Sequence, residues 1–191
     1  MTTTAVLEVA EKKYTVEEYF ELEKNSEVRH EFYYGKLIEM PGEAKVANNI
    51  ANNILEAWRK KLKRIGYQLF THDVKTTVKG RGIYRYPDVV VSPNVDDDEY
   101  LVEQPVIMVE VASFDSMKRD SVVKLKEYTA ISSLKYYLIV AQDEMSVQFC
   151  YRKGSEWLFT FFEKPTDVIK LPDFSLEITL AEIYDDIKFD G

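Results

Sequence analysis

A pair of apolar segments separated by a single helix constrains the fold of this chain most strongly. Val106–Val111 and Lys135–Ala141 have the composition of buried strands. Between them, Ser116 can cap a helix that continues to about Ile131. Two strands of one sheet that are joined by a helical crossover run parallel, whereas hairpins pair antiparallel. We therefore predict an α/β (α+β) fold with a mixed β-sheet flanked by helices.

Other elements precede and follow this unit. Thr15 and Glu18 form a capping box, which predicts a short helix to about Lys24. Apolar residues recur every three or four positions from Ala44 to about Ile65 and predict a long amphipathic helix. The core order is helix, strand, strand, strand, helix, strand, with additions at both ends and a short acidic segment last. The other predicted strands are a pair over Glu31–Met40 that turns at Gly35, then Tyr67–Val78 and Tyr84–Val91, and a hairpin of Met145–Tyr151 and Glu156–Phe162.

The composition indicates one globular domain. The chain has 191 residues, of which 46% are hydrophobic, and no repeat or linker divides it. We predict a single domain over residues 1–191, with 1–13 flexible. The start lacks the basic segment and apolar run of a signal peptide, and no stretch approaches the roughly eighteen apolar residues of a membrane span. The single cysteine, Cys150, suggests a reducing compartment, so we expect a cytoplasmic protein without membrane association.

Charge and ligand types narrow the binding partners. The formal net charge of −8 argues against broad nucleic-acid affinity, because phosphate binding depends on Lys and Arg. Basic clusters within residues 59–64 and 118–126 could supply local positive charge or simply form solvated helix faces. Two histidines and one cysteine cannot build the usual zinc ligand sets. A metal in this protein should therefore be bound by oxygen, as Mg²⁺ or Mn²⁺.

Two carboxylates interrupt segments that are otherwise apolar. Asp88 lies in the predicted strand 84–91, and Glu110 lies near the end of Val106–Val111. If the strands are neighbours and the carboxylates about 5 Å apart, their repulsion is roughly 3 kcal/mol at an effective dielectric constant near 20. A divalent metal would remove this cost. The structural alternative is that Asp88 accepts backbone N–H bonds and Glu110 pairs with a Lys or Arg.

The order of elements and the positions of these carboxylates resemble the PD-(D/E)XK nuclease superfamily. More narrowly, the chain resembles the Uma2 family of predicted endonucleases, from about Tyr14 to Asp185. The motifs are short, but their order and spacing are specific. The resemblance implies a restriction-endonuclease-like domain. The matching segments are Arg29–Lys36, Tyr86–Val89, Val109–Ser113, Asp120–Lys124 with Tyr128, and Tyr136–Val140.

The resemblance also implies roles for individual residues. Asp88 and Glu110 would bind Mg²⁺ or Mn²⁺ together with the backbone carbonyl of Val111. Lys124 would orient the attacking water and offset charge on the phosphate. Glu31 would be a further catalytic acidic group near the metal. The alternatives are a helical i,i+4 ion pair for Lys124 and a solvated position before a strand for Glu31.

One position departs from the superfamily pattern and another from the family pattern. Ala112 stands where the superfamily normally has its lysine, which in Uma2 proteins lies on the following helix and corresponds to Lys124. Ala47 stands where the family often has a histidine. We predict a magnesium-dependent endonuclease that acts on DNA. The alternative is a catalytically degenerate domain of the same fold that binds nucleic acid or protein. Aromatic residues of the C-terminal hairpin could form core or a self-association surface, which suggests a homodimer.

Overall fold

The computed structural model describes residues 12–40, 42–78, 80, 82–94, 98–113 and 123–189. The helices are α1 (Val16–Asn25), α2 (Lys45–Arg64), α3 (described over 123–128) and α4 (Leu180–Ile183), with a 3₁₀ turn at Pro172–Phe174. The strands are β1 (His30–Tyr33), β2 (Lys36–Glu39), β3 (Tyr67–Thr71), β4 (Lys75–Val78), β5 (Ile83–Arg85), β6 (Val89–Pro93), β7 (Leu101–Val102), β8 (Ile107–Ala112), β9 (Tyr136–Ala141), β10 (Val147–Lys153), β11 (Glu156–Phe162), β12 (Val168–Leu171) and β13 (Leu176–Thr179).

A six-stranded sheet in the order β11-β10-β9-β8-β6-β3 forms the centre of the fold. β8 and β9 are parallel, with Glu110 beside Ile139. The other neighbouring pairs in this sheet are antiparallel. Because the parallel pair flanks the segment that contains α3, the mixed sheet predicted from the two apolar segments is confirmed.

The two faces of this sheet support separate hydrophobic clusters, because side chains alternate along each strand. Val89 of β6 and Val109 of β8 lie in the cluster that contains α2. Val90 and Met108, one position away on each strand, lie in the cluster that contains Tyr128 of α3. The three-to-four spacing of the predicted helix is confirmed in α2, whose fully buried residues are Ile50, Ala51, Ile54, Trp58 and Leu62.

Two segments predicted as single strands are instead divided between two sheets. Residues 67–78 form β3 and β4, and residues 84–91 contribute to β5 and β6. β4 and β5 belong to a second sheet, in the order β2-β1-β5-β4-β7. His72 adopts a left-handed backbone conformation, with φ 55°, and turns the chain after β3. Pro87 lacks the N–H that a strand ladder needs, so the chain leaves one sheet at this point and joins the other.

The prediction that a short acidic segment closes the chain is wrong. β12 and β13 form an antiparallel hairpin, with Ile169 opposite Ile178. Both side chains are fully buried in the cluster on the α2 side of the central sheet. Acidic residues such as Glu177 occupy the exposed positions of the hairpin. The segment was therefore predicted from its charge, although its apolar residues alternate as they do in a strand.

Several local predictions are confirmed. α1 begins with the capping box of Thr15 and Glu18, Gly66 ends α2 with φ 83°, and β10 pairs with β11 as the predicted hairpin. The Ser116 cap, the basic residues 118–119 and the first eleven residues lie outside the described residues. In the part of the chain that the structure describes, no helix has the length and apolar character needed to cross a membrane.

Candidate active site

Asp88 and Glu110 lie beside each other on adjacent strands of the central sheet. β6 and β8 are antiparallel, with Val89 opposite Val109. The same register places Asp88, just before β6, opposite Glu110. The backbone N–H of Val111 donates to Asp88 Oδ2 at 2.5 Å. The structure therefore brings the two predicted carboxylates together, on the sheet face that is covered by α3.

Helix α3 supplies two side chains that hold Glu110. Lys124 Nζ lies 2.8 Å from Glu110 Oε2, and the Lys124 side chain is only 18% exposed. The hydroxyl of Tyr128 donates to Glu110 Oε1 at 2.8 Å. Residues four apart lie on one face of a helix, so both side chains reach the same carboxylate. Lys124 therefore points to the carboxylates and away from bulk solvent.

Lys124 also belongs to a series of alternating charges that leads away from Glu110. Its Nζ lies 3.6 Å from Glu31 Oε1, and Glu31 Oε2 lies 2.6 Å from Arg85 Nη1. Arg85 donates two hydrogen bonds to Glu127, at 3.0 and 2.9 Å. Glu31 is 8% exposed, so its solvated alternative is wrong. The series links β1 and β5 of the second sheet to α3, in the order Glu127, Arg85, Glu31, Lys124, Glu110.

Burial changes the proton affinity of these groups. The pKa of Asp88 is raised to about 8, first by burial and then by the charge of Glu110. Burial also raises the pKa of Glu110, although Lys124 acts in the opposite direction. Burial alone would lower the pKa of Lys124, but Glu110 and Glu31 outweigh it and hold that pKa above its usual value, so the ammonium stays charged. The raised pKa values of the carboxylates mark a site that is short of positive charge.

Two further groups approach Asp88, and the sequence analysis identified neither. Glu43 lies just before α2, and His72 lies in the turn after β3. Nδ1 of His72 is 3.1 Å from Glu43 Oε2 and 4.0 Å from Asp88 Oδ1. The hydrogen bond to Glu43 is the main cause that raises the pKa of His72. Neither residue belongs to a short motif, so only the folded chain shows that they meet.

Asp88, Glu43 and His72 lie on the wall of a cleft of about 690 Å³. Val111 and Ser113, at the end of β8, line the same cleft. Ala47 and Ala112 also belong to its wall. The cleft therefore gives a substrate access to Asp88, and its wall is apolar at these two alanines.

A relative, a solved structure and a family model are similar to this chain. The chain is 27% identical over 157 residues to the uncharacterized protein sll1609 of Synechocystis sp., and the match covers 76% of this chain and 85% of that protein. The structure of this chain is similar to the crystal structure of a "putative nuclease belonging to DUF820" from Anabaena variabilis. The TM-score is 0.71 and the identity 19%, over 89% of this chain and 97% of that chain. This likeness confirms the predicted fold. Residues 16–181 match the model of the Uma2 family, described as "Putative restriction endonuclease", and the chain therefore belongs to that family.

Proposed function

We propose that this protein is a metal-dependent phosphodiester hydrolase and that its substrate is DNA. The observation that carries the proposal is the meeting of Asp88, Glu110 and Lys124 on one face of the central sheet. The Uma2 family is described as "Putative restriction endonuclease" and the similar Anabaena protein as a "putative nuclease". Paired carboxylates beside a charged lysine supply the groups that metal-assisted hydrolysis needs.

The donor atoms fit a hard divalent cation. Asp88, Glu110 and the backbone carbonyl of Val111 would offer oxygen, which is the ligand type that Mg²⁺ prefers. Burial and the charge of Glu110 raise the pKa of Asp88, and a divalent cation bound there would offset both effects. When bound, the cation would lower the pKa of a coordinated water and polarise the phosphodiester.

The side chains of this protein would position the other reactants. Lys124 would orient the attacking water and offset negative charge on the phosphate in the transition state. Glu110 and Glu31 hold its ammonium group at 2.8 and 3.6 Å. Tyr128 fixes the orientation of Glu110 through its hydroxyl, and Arg85 does the same for Glu31. Tyr128 and Arg85 would therefore act as positioning residues.

Nicking of supercoiled plasmid tests this proposal. The wild-type protein should nick plasmid in Mg²⁺ or Mn²⁺ at low salt, where phosphate contacts are strongest. Asp88→Asn should reduce the rate by about 100-fold or more, because the site loses a metal ligand. Asp185→Asn is the matched control for Asp88→Asn, because Asp185 is an exposed carboxylate outside the cleft. Equal rates for wild type and Asp88→Asn would refute this site.

Two observations favour a second candidate, a degenerate domain that binds nucleic acid or protein without cleaving it. Ala47 leaves the cleft wall apolar where the family resemblance implies a histidine, and the chain carries a net charge of −8. Failure of the wild-type protein to nick plasmid with either metal would favour this candidate.

We also propose that the protein forms a homodimer through β11. This strand is at the edge of the central sheet, and Phe159 and Phe161 on it are 48% and 63% exposed. An edge strand with exposed aromatic rings favours pairing with a second copy of itself about a two-fold axis. Sedimentation should give twice the monomer mass for wild type and a monomer for Phe161→Glu. A monomeric wild-type protein at high concentration would contradict the proposal.

A further inference from the structure

Glu43, His72 and Asp88 bring together three metal-ligating side chains, of which the proposed mechanism uses only Asp88. One ligand atom from each lies within 4.8 Å of the other two. We propose that these residues form a binding site for a divalent transition-metal cation, which Mn²⁺ would occupy in preference to Mg²⁺. The inference rests on the proposed function only in that both use Asp88.

The distances suit one cation between the three side chains. His72 Nδ1 lies 3.1 Å from Glu43 Oε2 and 4.0 Å from Asp88 Oδ1. Ligand atoms that are each about 2.1 Å from a cation are about 3 Å apart when adjacent and about 4.2 Å apart when opposite. Both interatomic distances fall near this range, so only small side-chain movements are needed to bind a cation.

The oxygen of Asp88 that faces this cluster differs from the one that the strand holds. Asp88 Oδ2 accepts the N–H of Val111, whereas Oδ1 faces His72. The two oxygens of Glu110 are held by α3 through Lys124 and Tyr128. Asp88 therefore offers its second oxygen toward Glu43 and His72.

The carboxyl groups of Glu43 and Asp88 also lie close together, with one oxygen of each within 4.8 Å of the other. Two carboxylates at this separation repel each other, and a proton or a cation between them removes the repulsion. A divalent cation would satisfy both carboxylates and Nδ1 of His72 at once.

The ring of His72 is anchored on its other side. The carboxamide of Asn48, in the first turn of α2, lies 3.3 Å from His72 Nε2 and is itself bonded to Asn52 at 2.9 Å. Because Asn48 Nδ2 donates to Nε2, the ring proton lies on Nδ1 in the metal-free protein, and a cation bound at Nδ1 would displace that proton. The contact fixes Nδ1 toward Glu43 and Asp88.

The ligand types determine which cation the site prefers. Mg²⁺ is bound mainly by carboxylates and water, whereas imidazole suits the transition metals. A site with one imidazole nitrogen and two carboxylates should bind Mn²⁺ more tightly than Mg²⁺. Because Asp88 would be shared, a cation at this site would lie beside the Asp88 and Glu110 pair.

Electron paramagnetic resonance of the full chain with Mn²⁺ tests the inference without measuring activity. Titration of the free Mn²⁺ signal gives the affinity, and electron spin-echo modulation detects coupling to an imidazole nitrogen. His72→Asn should abolish the nitrogen coupling and weaken Mn²⁺ binding by about tenfold or more. Asn tolerates the φ of 55° at this position, so the variant should fold. His72→Asn should change the affinity for Mg²⁺, measured by competition with Mn²⁺, by less than about twofold relative to wild type.

The chain provides a matched control for the histidine. It has two histidines, and the second, His30, also contacts a glutamate, with Nδ1 2.9 Å from Glu23 Oε1. His30→Asn should keep the nitrogen coupling and the Mn²⁺ affinity of the wild type. Glu43→Gln should keep the coupling but weaken Mn²⁺ binding by about tenfold.

Each result separates this inference from the proposed function. Bound Mn²⁺ without nitrogen coupling, with affinity that falls in Asp88→Asn but not in Glu43→Gln, would overturn the His72 site and leave the proposed metal at Asp88 and Glu110. Mn²⁺ binding that is unchanged in Asp88→Asn would overturn both. Coupling that persists in His72→Asn and disappears in His30→Asn would move the site to the other histidine.

Discussion

Replacement of Asp88 by asparagine should stabilise the metal-free protein at alkaline pH. The pKa of Asp88 is raised from the ordinary 3.8 to about 8, first by burial and then by Glu110. A carboxyl group whose pKa is raised in the folded state stabilises the fold at low pH, and this contribution is lost as the pH rises through the folded-state pKa. Wild-type stability should therefore fall between about pH 4 and pH 8.

The magnitude follows from the same pKa values. At 1.36 kcal/mol for each pH unit, the difference between 3.8 and about 8 corresponds to at most about 6 kcal/mol. The Asp88 side chain is 19% exposed, so water lowers the cost of its charge. The asparagine oxygen can still accept the Val111 N–H, so that hydrogen bond is kept. We expect Asp88→Asn to be more stable than wild type by about 3 kcal/mol at pH 9.

Urea unfolding in the presence of a chelator measures this difference. At pH 5 the two proteins should differ by less than about 1 kcal/mol, because most of the Asp88 side chain is then protonated. Asp185→Asn, which changes an exposed carboxylate, should follow the wild type at every pH. If Asp88→Asn and wild type lose the same free energy of unfolding between pH 5 and pH 9, the reasoning is refuted.

Three further predictions concern the metal and helix α3. Metal at ten times its dissociation constant should stabilise the wild type by about 1.4 kcal/mol, or roughly 3 to 5 °C in Tm, and Asp88→Ala should abolish the shift in thermal melts. Lys124→Ala should keep that shift in Tm yet lose plasmid nicking, because the lysine would act only in the transition state. Lys124→Arg should restore little activity, because a planar guanidinium differs from a compact ammonium. Undiminished nicking by Lys124→Ala would exclude this lysine from the mechanism. Tyr128→Phe should cost about 1 to 2 kcal/mol in urea unfolding, because Glu110 loses its buried hydroxyl donor; an unchanged stability would show that this hydrogen bond contributes little.

Local patterns were enough to predict most of the fold. The Thr15 capping box predicted α1, and the helical spacing from Ile50 to Leu62 predicted α2, because both depend on neighbouring residues only. Division of the segments 67–78 and 84–91 between two sheets was not predictable in this way. The backbone of His72 is left-handed in the folded chain. A histidine in the sequence does not by itself predict such a turn.

The candidate site shows the same division between local and long-range information. Asp88 and Glu110 are conspicuous because each is a charge within an apolar segment. Lys124 was predicted from the family resemblance, and the structure places it at Glu110. Glu43 and His72 have no such context, and they meet only because the turn after β3 approaches the start of α2. A local sequence pattern cannot predict a contact between two loops that are far apart in the sequence.

The series of alternating charges from Glu127 to Glu110 would affect repeated turnover of the proposed hydrolase. Lys124 has two acceptors, and the more distant, Glu31, is already held by Arg85. If Glu110 rotates toward a cation, the ammonium of Lys124 can move to Glu31 and keep a counter-charge throughout. Such an exchange needs little reorganisation of buried charge, so the lysine could return to its starting position after each cycle of the proposed hydrolysis while the protein core stays in place.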